Sequence, residues 1–114
     1  MPFDKNPCVY ILASKRNGVL NTGVSSDLWG RMAEHLQGIH DGFTRRYSVK
    51  MLVYHEFHDT MDAAIARETR IKNWRRAWKV RLIESMNPEW CDLYDATNYN
   101  ILEGPADVAR RRPG

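Results

Sequence analysis

Residues 8–24, CVYILASKRNGVLNTGV, decide the architecture. Cys8 to Ala13 is a continuous apolar, β-prone run, and Ser14-Lys15-Arg16-Asn17-Gly18 breaks it with turn formers before Val19 to Val24 resumes. Two such runs around a break containing Asn and Gly spell a β-hairpin. If Ser14–Asn17 is a four-residue loop, Tyr10 lies opposite Asn21 and both side chains point to one face. An Asn17-Gly18 two-residue turn would break that register.

Working outward, Ser25 or Ser26 can cap a helix that begins near Asp27, carries Leu28, Met32 and Leu36 on one apolar row, and stops near Gly38. Gly38 to Ser48 mixes glycines, basic groups and aromatics without a period, which reads as a loop. A third strand is expected over Val49 to Phe57, with Met51, Val53 and Phe57 on one face and Leu52 and Tyr54 on the other. Asp59 or Thr60 can cap a second helix that runs to about Trp74, with Asp62 favoured by the dipole of its first turn. A third helix over Arg76–Met86 is expected to bury Trp78, Leu82 and Met86, and Pro88 prevents its continuation. Trp74, Trp78 and Trp90 all read as core anchors.

The order β-β-α-β-α-α has too few strands for a doubly wound parallel sheet. It predicts an α/β (α+β) fold, a small, mostly antiparallel three-stranded sheet flanked by helices. At 114 residues, 43% hydrophobic and 27% charged, the chain suits one globular domain, expected over residues 1–97, with a disordered basic tail over 98–114 that ends in Arg110-Arg111-Arg112. No run approaches the roughly 18 apolar residues of a membrane span, and the amino-terminal residues do not resemble a signal peptide. Two cysteines without metal-ligand spacing fit a reducing compartment, so a cytoplasmic location is expected.

A formal charge of +3 says little about partners, but its distribution says more. Arg67, Arg70, Lys72, Arg75, Arg76, Lys79 and Arg81 face one acid, Glu68, between positions 67 and 81, and Arg45-Arg46 form a second basic spot. Glu68 itself falls within the helical stripe of Met61, Ala64, Ile65 and Ile71. A carboxylate on the core side must be protonated, paired or metal-bound. An ion pair with Arg31 or Lys72 and a catalytic role both satisfy that demand. Arg31 and His35 share a helix face and can meet a phosphate together, or stand solvated with Glu34 as the arginine's partner. Asn21 is unusual in a strand, where an aromatic or β-branched residue is favoured.

Taken together, Val9-Tyr10-Ile11, Asn21-Thr22-Gly23, Arg31, His35 and Glu68 resemble the GIY-YIG endonuclease family. Phe43-Thr44-Arg45-Arg46-Tyr47, Leu52-Val53-Tyr54-His55-Glu56, Ala66-Arg67-Glu68 with Ile71-Lys72-Asn73-Trp74, and Asn87-Pro88-Glu89-Trp90 resemble its small stand-alone bacterial branch. The resemblance spans about residues 7–95 and implies metal-dependent hydrolysis of DNA phosphodiester bonds, in DNA repair or processing. It implies Glu68 as ligand of a divalent cation, Mg²⁺, and Arg31 as phosphate clamp. Tyr10 would be the base or orienter of water, and His35 a supporting donor. Asn21 stands where the second signature tyrosine is expected, and Cys8 where the first half-motif has glycine. The alternative is a catalytically weakened or inactive nucleic-acid-binding module of the same fold. Arg45, Arg46, Lys72, Arg75, Arg76 and Lys79 are the expected DNA contacts. A lone domain of this size has little room for target recognition, so specificity is expected to come from DNA shape or an unidentified protein partner.

Overall fold

The apolar run at 8–13 becomes the central strand of a three-stranded antiparallel sheet. A computed structural model describes residues 6–36, 48–95 and 100–102, with the side chains at 35 and 36 outside that description. Its elements are β1 (Cys8–Ala13), β2 (Leu20–Ser25), α1 (Leu28–Leu36), β3 (Met51–Phe57), α2 (Met61–Lys72), α3 (Arg76–Met86), β4 (Tyr94–Asp95) and β5 (Asn100–Ile101). The sheet order is β2-β1-β3, and β4 and β5 form a separate two-stranded ladder. Among the described residues no helix is long and apolar enough to cross a membrane.

Every residue of β1 is buried, which explains why its sequence is apolar without alternation. Val9, Ile11 and Ala13 pack with Ala64, Ile71, Ile83 and Trp90. Cys8, Tyr10 and Leu12 pack with Leu28, Met32, Leu93, Tyr94 and Ile101. Helices α2 and α3 therefore cover one face of the sheet, and α1 with the β4–β5 ladder covers the other.

Strand β3 departs from strict alternation. A register shift between Ile11 and Leu12 sets Tyr54 opposite Ile11 and Leu52 opposite Leu12, leaving Val53 as an extra residue. Val53 and Tyr54 consequently join the same core cluster, whereas alternation separates them. The edge beyond the bulge is covered, because Asp92 Oδ1 accepts from Leu52 N at 3.1 Å and Leu52 O accepts from Leu93 N at 2.7 Å.

Local caps refine the helix starts. Asp27 rather than a serine caps α1, its Oδ1 accepting from Gly30 N at 3.1 Å, while Ser25 Oγ accepts from Asp27 N at 2.9 Å. Thr60 caps α2 through Ala63 N. Helix α3 has the expected bounds, but it buries Ile83 and leaves Trp78 44% exposed. Its sequence offers two apolar rows, Trp78-Leu82 and Val80-Ile83, and the sheet takes the second. Helix α2 likewise turns Ala64 and Ile71 inward and leaves Ile65 45% exposed.

Part of the stretch expected as tail is structured: Asn100–Ile101 pairs with β4, and Ile101 and Leu102 are buried. Leu102 O also lies 2.9 Å from His55 Nε2. Two apolar residues in succession after a polar segment were enough to seal the α1 face. The remainder of that tail, and the 43–47 loop with Arg45 and Arg46, lie outside the described residues.

Candidate active site

The hairpin is longer at its tip than a four-residue loop. Lys15 O accepts from Gly18 N at 2.9 Å, Asn17 adopts a left-handed backbone with φ 59°, and Ser14 Oγ accepts from Val19 N at 2.9 Å. These bonds absorb two further residues, so Ala13 pairs with Leu20, Leu12 with Asn21 and Tyr10 with Gly23. Tyr10 thus sits diagonal to Asn21, not opposite it. A slip of two conserves the pleat, and both residues still belong to one face.

The partner of Tyr10 is a glycine for a spatial reason. A Cβ at Gly23 would stand 2.4 Å from Tyr10 Oη and 2.5 Å from Cζ. The phenol therefore lies directly over the backbone of edge strand β2, where no larger residue fits. The Tyr10 ring is itself buried, at 3% exposure.

Helix α1 lies over the same face. Its capping Asp27 and Arg31 both act electrostatically on the Cys8 thiol, which burial above all pushes up to about 11. The Arg31 side chain is exposed, with Glu34 Oε1 3.8 Å from its Nε. That is the solvated-face arrangement anticipated for an Arg/Glu pair on one helix. His35 lies on α1, and its side chain is outside the described residues.

Glu68 comes from the other layer. Helix α2 packs along β2 and β1, and its Glu68 side chain is 14% exposed, with Oε2 3.1 Å from Lys72 Nζ. The inward direction read from the helical stripe holds, and of the two cations considered, Lys72 is the partner. Thr22 on β2 pairs with Ile11, whose face packs against α2, and its buried Oγ1 has no hydrogen-bond partner among the described residues.

The model of the GIY-YIG catalytic domain matches residues 6–81, about two thirds of the chain. The chain belongs to the GIY-YIG family. It is also similar to UPF0213 proteins of Staphylococcus saprophyticus, 36% identical over 66% of this chain and 90% of the relative, and of Staphylococcus aureus, 36% identical over 67% and 92%. No solved structure matches. The family is one of nucleases.

This GIY-YIG domain carries a polar cluster that spacing alone did not expose. Glu56 on β3 is met by the Tyr54 hydroxyl, by His58 Nε2 and, at 3.0 Å, by Arg67 Nε from α2. Burial disfavours the Glu56 carboxylate, but the three hydrogen bonds and the Arg67 charge outweigh it and hold the group below the usual carboxylate range. Burial, and then the bond to Glu56 and its charge, raise the Tyr54 phenol well above the ordinary tyrosine range. The visible signal was Tyr54 and Glu56 two apart on a strand, hence on one face, with an arginine on the covering helix. Asn87 was equally cryptic: fully buried, it donates to Val53 O at 3.1 Å and to Cys91 O at 2.8 Å and accepts from Cys91 N at 3.0 Å. It fastens the turn after α3 to the bulged strand.

The basic residues divide by what they already hold. Arg76 donates to Gly18 O at 2.7 Å, tying α3 to the hairpin tip, and Lys72 is engaged by Glu68. Arg75 lies over Trp78. Trp90 is the core anchor expected, with its Nε1 donating to Glu84 at 2.7 Å, whereas Trp78 is on the surface.

Proposed function

We propose that this GIY-YIG domain is a metal-dependent endonuclease that hydrolyses DNA phosphodiester bonds in DNA repair or processing, with its catalytic rate lowered by Asn21. The observation that carries this reading is the fit of Tyr10 over Gly23, since it packs the two half-motifs as one unit even though Asn21 has replaced the second tyrosine.

Among the described residues there is no group of three His, Cys, Asp or Glu side chains able to hold a metal. A lone, shielded carboxylate fits Mg²⁺ nonetheless, because that ion keeps several waters and is commonly held by one or two carboxylates with substrate phosphates. Glu68 would hold it, in competition with Lys72, and the bound ion would supply polarisation of the phosphoryl oxygens. Tyr10 would orient the attacking water or take its proton. Since a free phenol has a pKa of about 10, proton transfer at neutral pH needs neighbouring positive charge. Arg31 would neutralise charge that grows on the phosphate, and His35 would add a donor. Asn21 can hydrogen-bond water or phosphate but has neither the reach of tyrosine nor an ionisable proton. Arg45, Arg46, Lys72, Arg75, Arg76 and Lys79 would follow the DNA backbone, and two free thiols, at Cys8 and Cys91, suit a reducing cytoplasm.

Incubation with supercoiled and branched DNA, in Mg²⁺ or chelator, tests the reading beside Glu68→Ala and Asn21→Tyr. Slow Mg²⁺-dependent nicking is expected from the wild type, faster nicking from Asn21→Tyr and none from Glu68→Ala. Absence of nicking by both wild type and Asn21→Tyr would sink it. The burial of Tyr10 at 3% exposure favours the second reading, a non-catalytic nucleic-acid-binding module, and salt-sensitive DNA binding without nicking is its signature.

A further inference from the structure

The basic run and the displaced tryptophan meet in one place. Trp74 and Trp78 stand edge to face, with ring centroids 6.0 Å apart and planes at 79°. With Arg81, Leu82 and Ser85 they line an open cavity of about 340 Å³. The guanidinium of Arg67 lies 5.2 Å from the Trp74 ring centroid, and that of Arg75 lies 5.3 Å from the Trp78 centroid. Each indole is thereby steadied by a cation, and among the described residues no acid lines the cavity.

We propose that this corner is a stacking platform for the base of an unpaired nucleotide, with Arg75 and Arg81 beside the adjoining phosphates. The choice of ligand follows from two properties present together. Indole at 44% exposure on Trp78 offers a π surface that burial would otherwise have claimed, and any base can stack on it. The surrounding stretch 67–81 carries seven basic residues; Lys72 is paired with Glu68 and Arg67 with Glu56, and the charge of the other five is complementary to a polyanion. An acidic peptide would satisfy the charge but make no use of two indoles at right angles. A blunt duplex would present phosphates while its bases stay stacked within the helix. The proposal rests on the reading of this domain as one that acts on DNA.

The test is titration of the full chain with an oligothymidine, a blunt duplex of equal length and a polyglutamate peptide, followed by tryptophan fluorescence and by anisotropy of the labelled ligand. Oligothymidine is expected to quench the fluorescence. Trp78→Leu should weaken oligothymidine binding about tenfold and leave duplex binding unchanged, while Trp78→Phe should retain most of the affinity. Arg75→Gln should lower the slope of log affinity against log salt by about 1. Because Trp78 is largely outside the core, unchanged melting of Trp78→Leu is the accompanying check on folding. Wild-type oligothymidine affinity in Trp78→Leu, equal losses for oligothymidine and duplex, or Trp78-dependent binding of polyglutamate would each overturn the platform. If nicking persists in that first case, the platform alone falls. If the wild type binds no DNA at low salt, the reading of the domain as DNA-acting falls with it.

Discussion

Glu56 and Glu68 are shielded to a similar degree, 19% and 14% exposed, yet their surroundings differ in kind. Glu56 is met by a phenol from β3, an imidazole from the turn after it and a guanidinium from α2, which joins β3 to α2. Glu68 has one described partner, a lysine one turn along its own helix whose side chain is 54% exposed. A carboxylate saturated with donors holds the fold together, and one held only by a half-exposed lysine can exchange that partner for a ligand. The two carboxylates thus differ in how readily each can give up its partner, a difference that sequence position does not supply.

The largest expected effect breaks the functional side. Glu68→Gln should lower nicking by about 100-fold or more, the scale of losing one preorganised electrostatic group, while the melting temperature moves by no more than about 2 °C, since a half-exposed i,i+4 pair contributes only about 0.3–0.5 kcal/mol. A large drop in melting temperature would make Glu68 the structural member instead. Glu56→Gln should do the opposite. It removes a shielded charge from a four-residue network, costing about 2–3 kcal/mol by urea denaturation, with nicking per folded molecule unchanged.

The same network sets the pH dependence. The Glu56 carboxyl has a lowered pKa in the fold, so its stabilisation is complete above the unfolded value of about 4.3 and is lost as pH falls below that. The Tyr54 phenol has a raised pKa, so its contribution is complete below about 10 and is lost as pH rises further. Melting curves of Glu56→Gln should therefore lose part of the acid leg, and those of Tyr54→Phe part of the alkaline leg. Identical pH profiles in wild type and variants would show that the network does not govern stability.

Smaller effects sharpen the picture around β2. Gly23→Ala should cost about 1–3 kcal/mol, because the new methyl forces the Tyr10 ring aside, and it should lower nicking beyond the loss of folded protein. Thr22→Val should change stability by less than about 0.5 kcal/mol or raise it, since its buried hydroxyl has no partner among the described residues. A marked loss of nicking with unchanged melting in Thr22→Val would assign that hydroxyl to the site.

The hairpin shows how far local sequence reaches. The strands, their order and the shared face of Tyr10 and Asn21 follow from apolar runs and a period of two, and a two-residue slip in the loop leaves that parity intact. The partner across the ladder did not follow, because it depends on hydrogen bonds inside the turn, through Ser14 and the left-handed Asn17. Helix α3 fails differently. Its bounds are local properties, whereas the choice between the Trp78 and Val80-Ile83 rows is made by the sheet it packs on. Ile65 on α2 is left outside for the same reason.

The chain's own residues determined the three strands of the main sheet, the three helices, the family and the inward turn of Glu68, because all of these depend on neighbours within a few positions, whereas the caps settled on Asp27 and Thr60 among several candidates only in the fold. Only the tertiary structure decided that Gly23 lies under Tyr10, that Lys72 rather than Arg31 holds Glu68, that Arg67 closes the Glu56 cluster, and that Trp78 faces solvent. Each of those outcomes depends on register and on which helix face meets the sheet, and both are fixed by packing between segments distant in sequence.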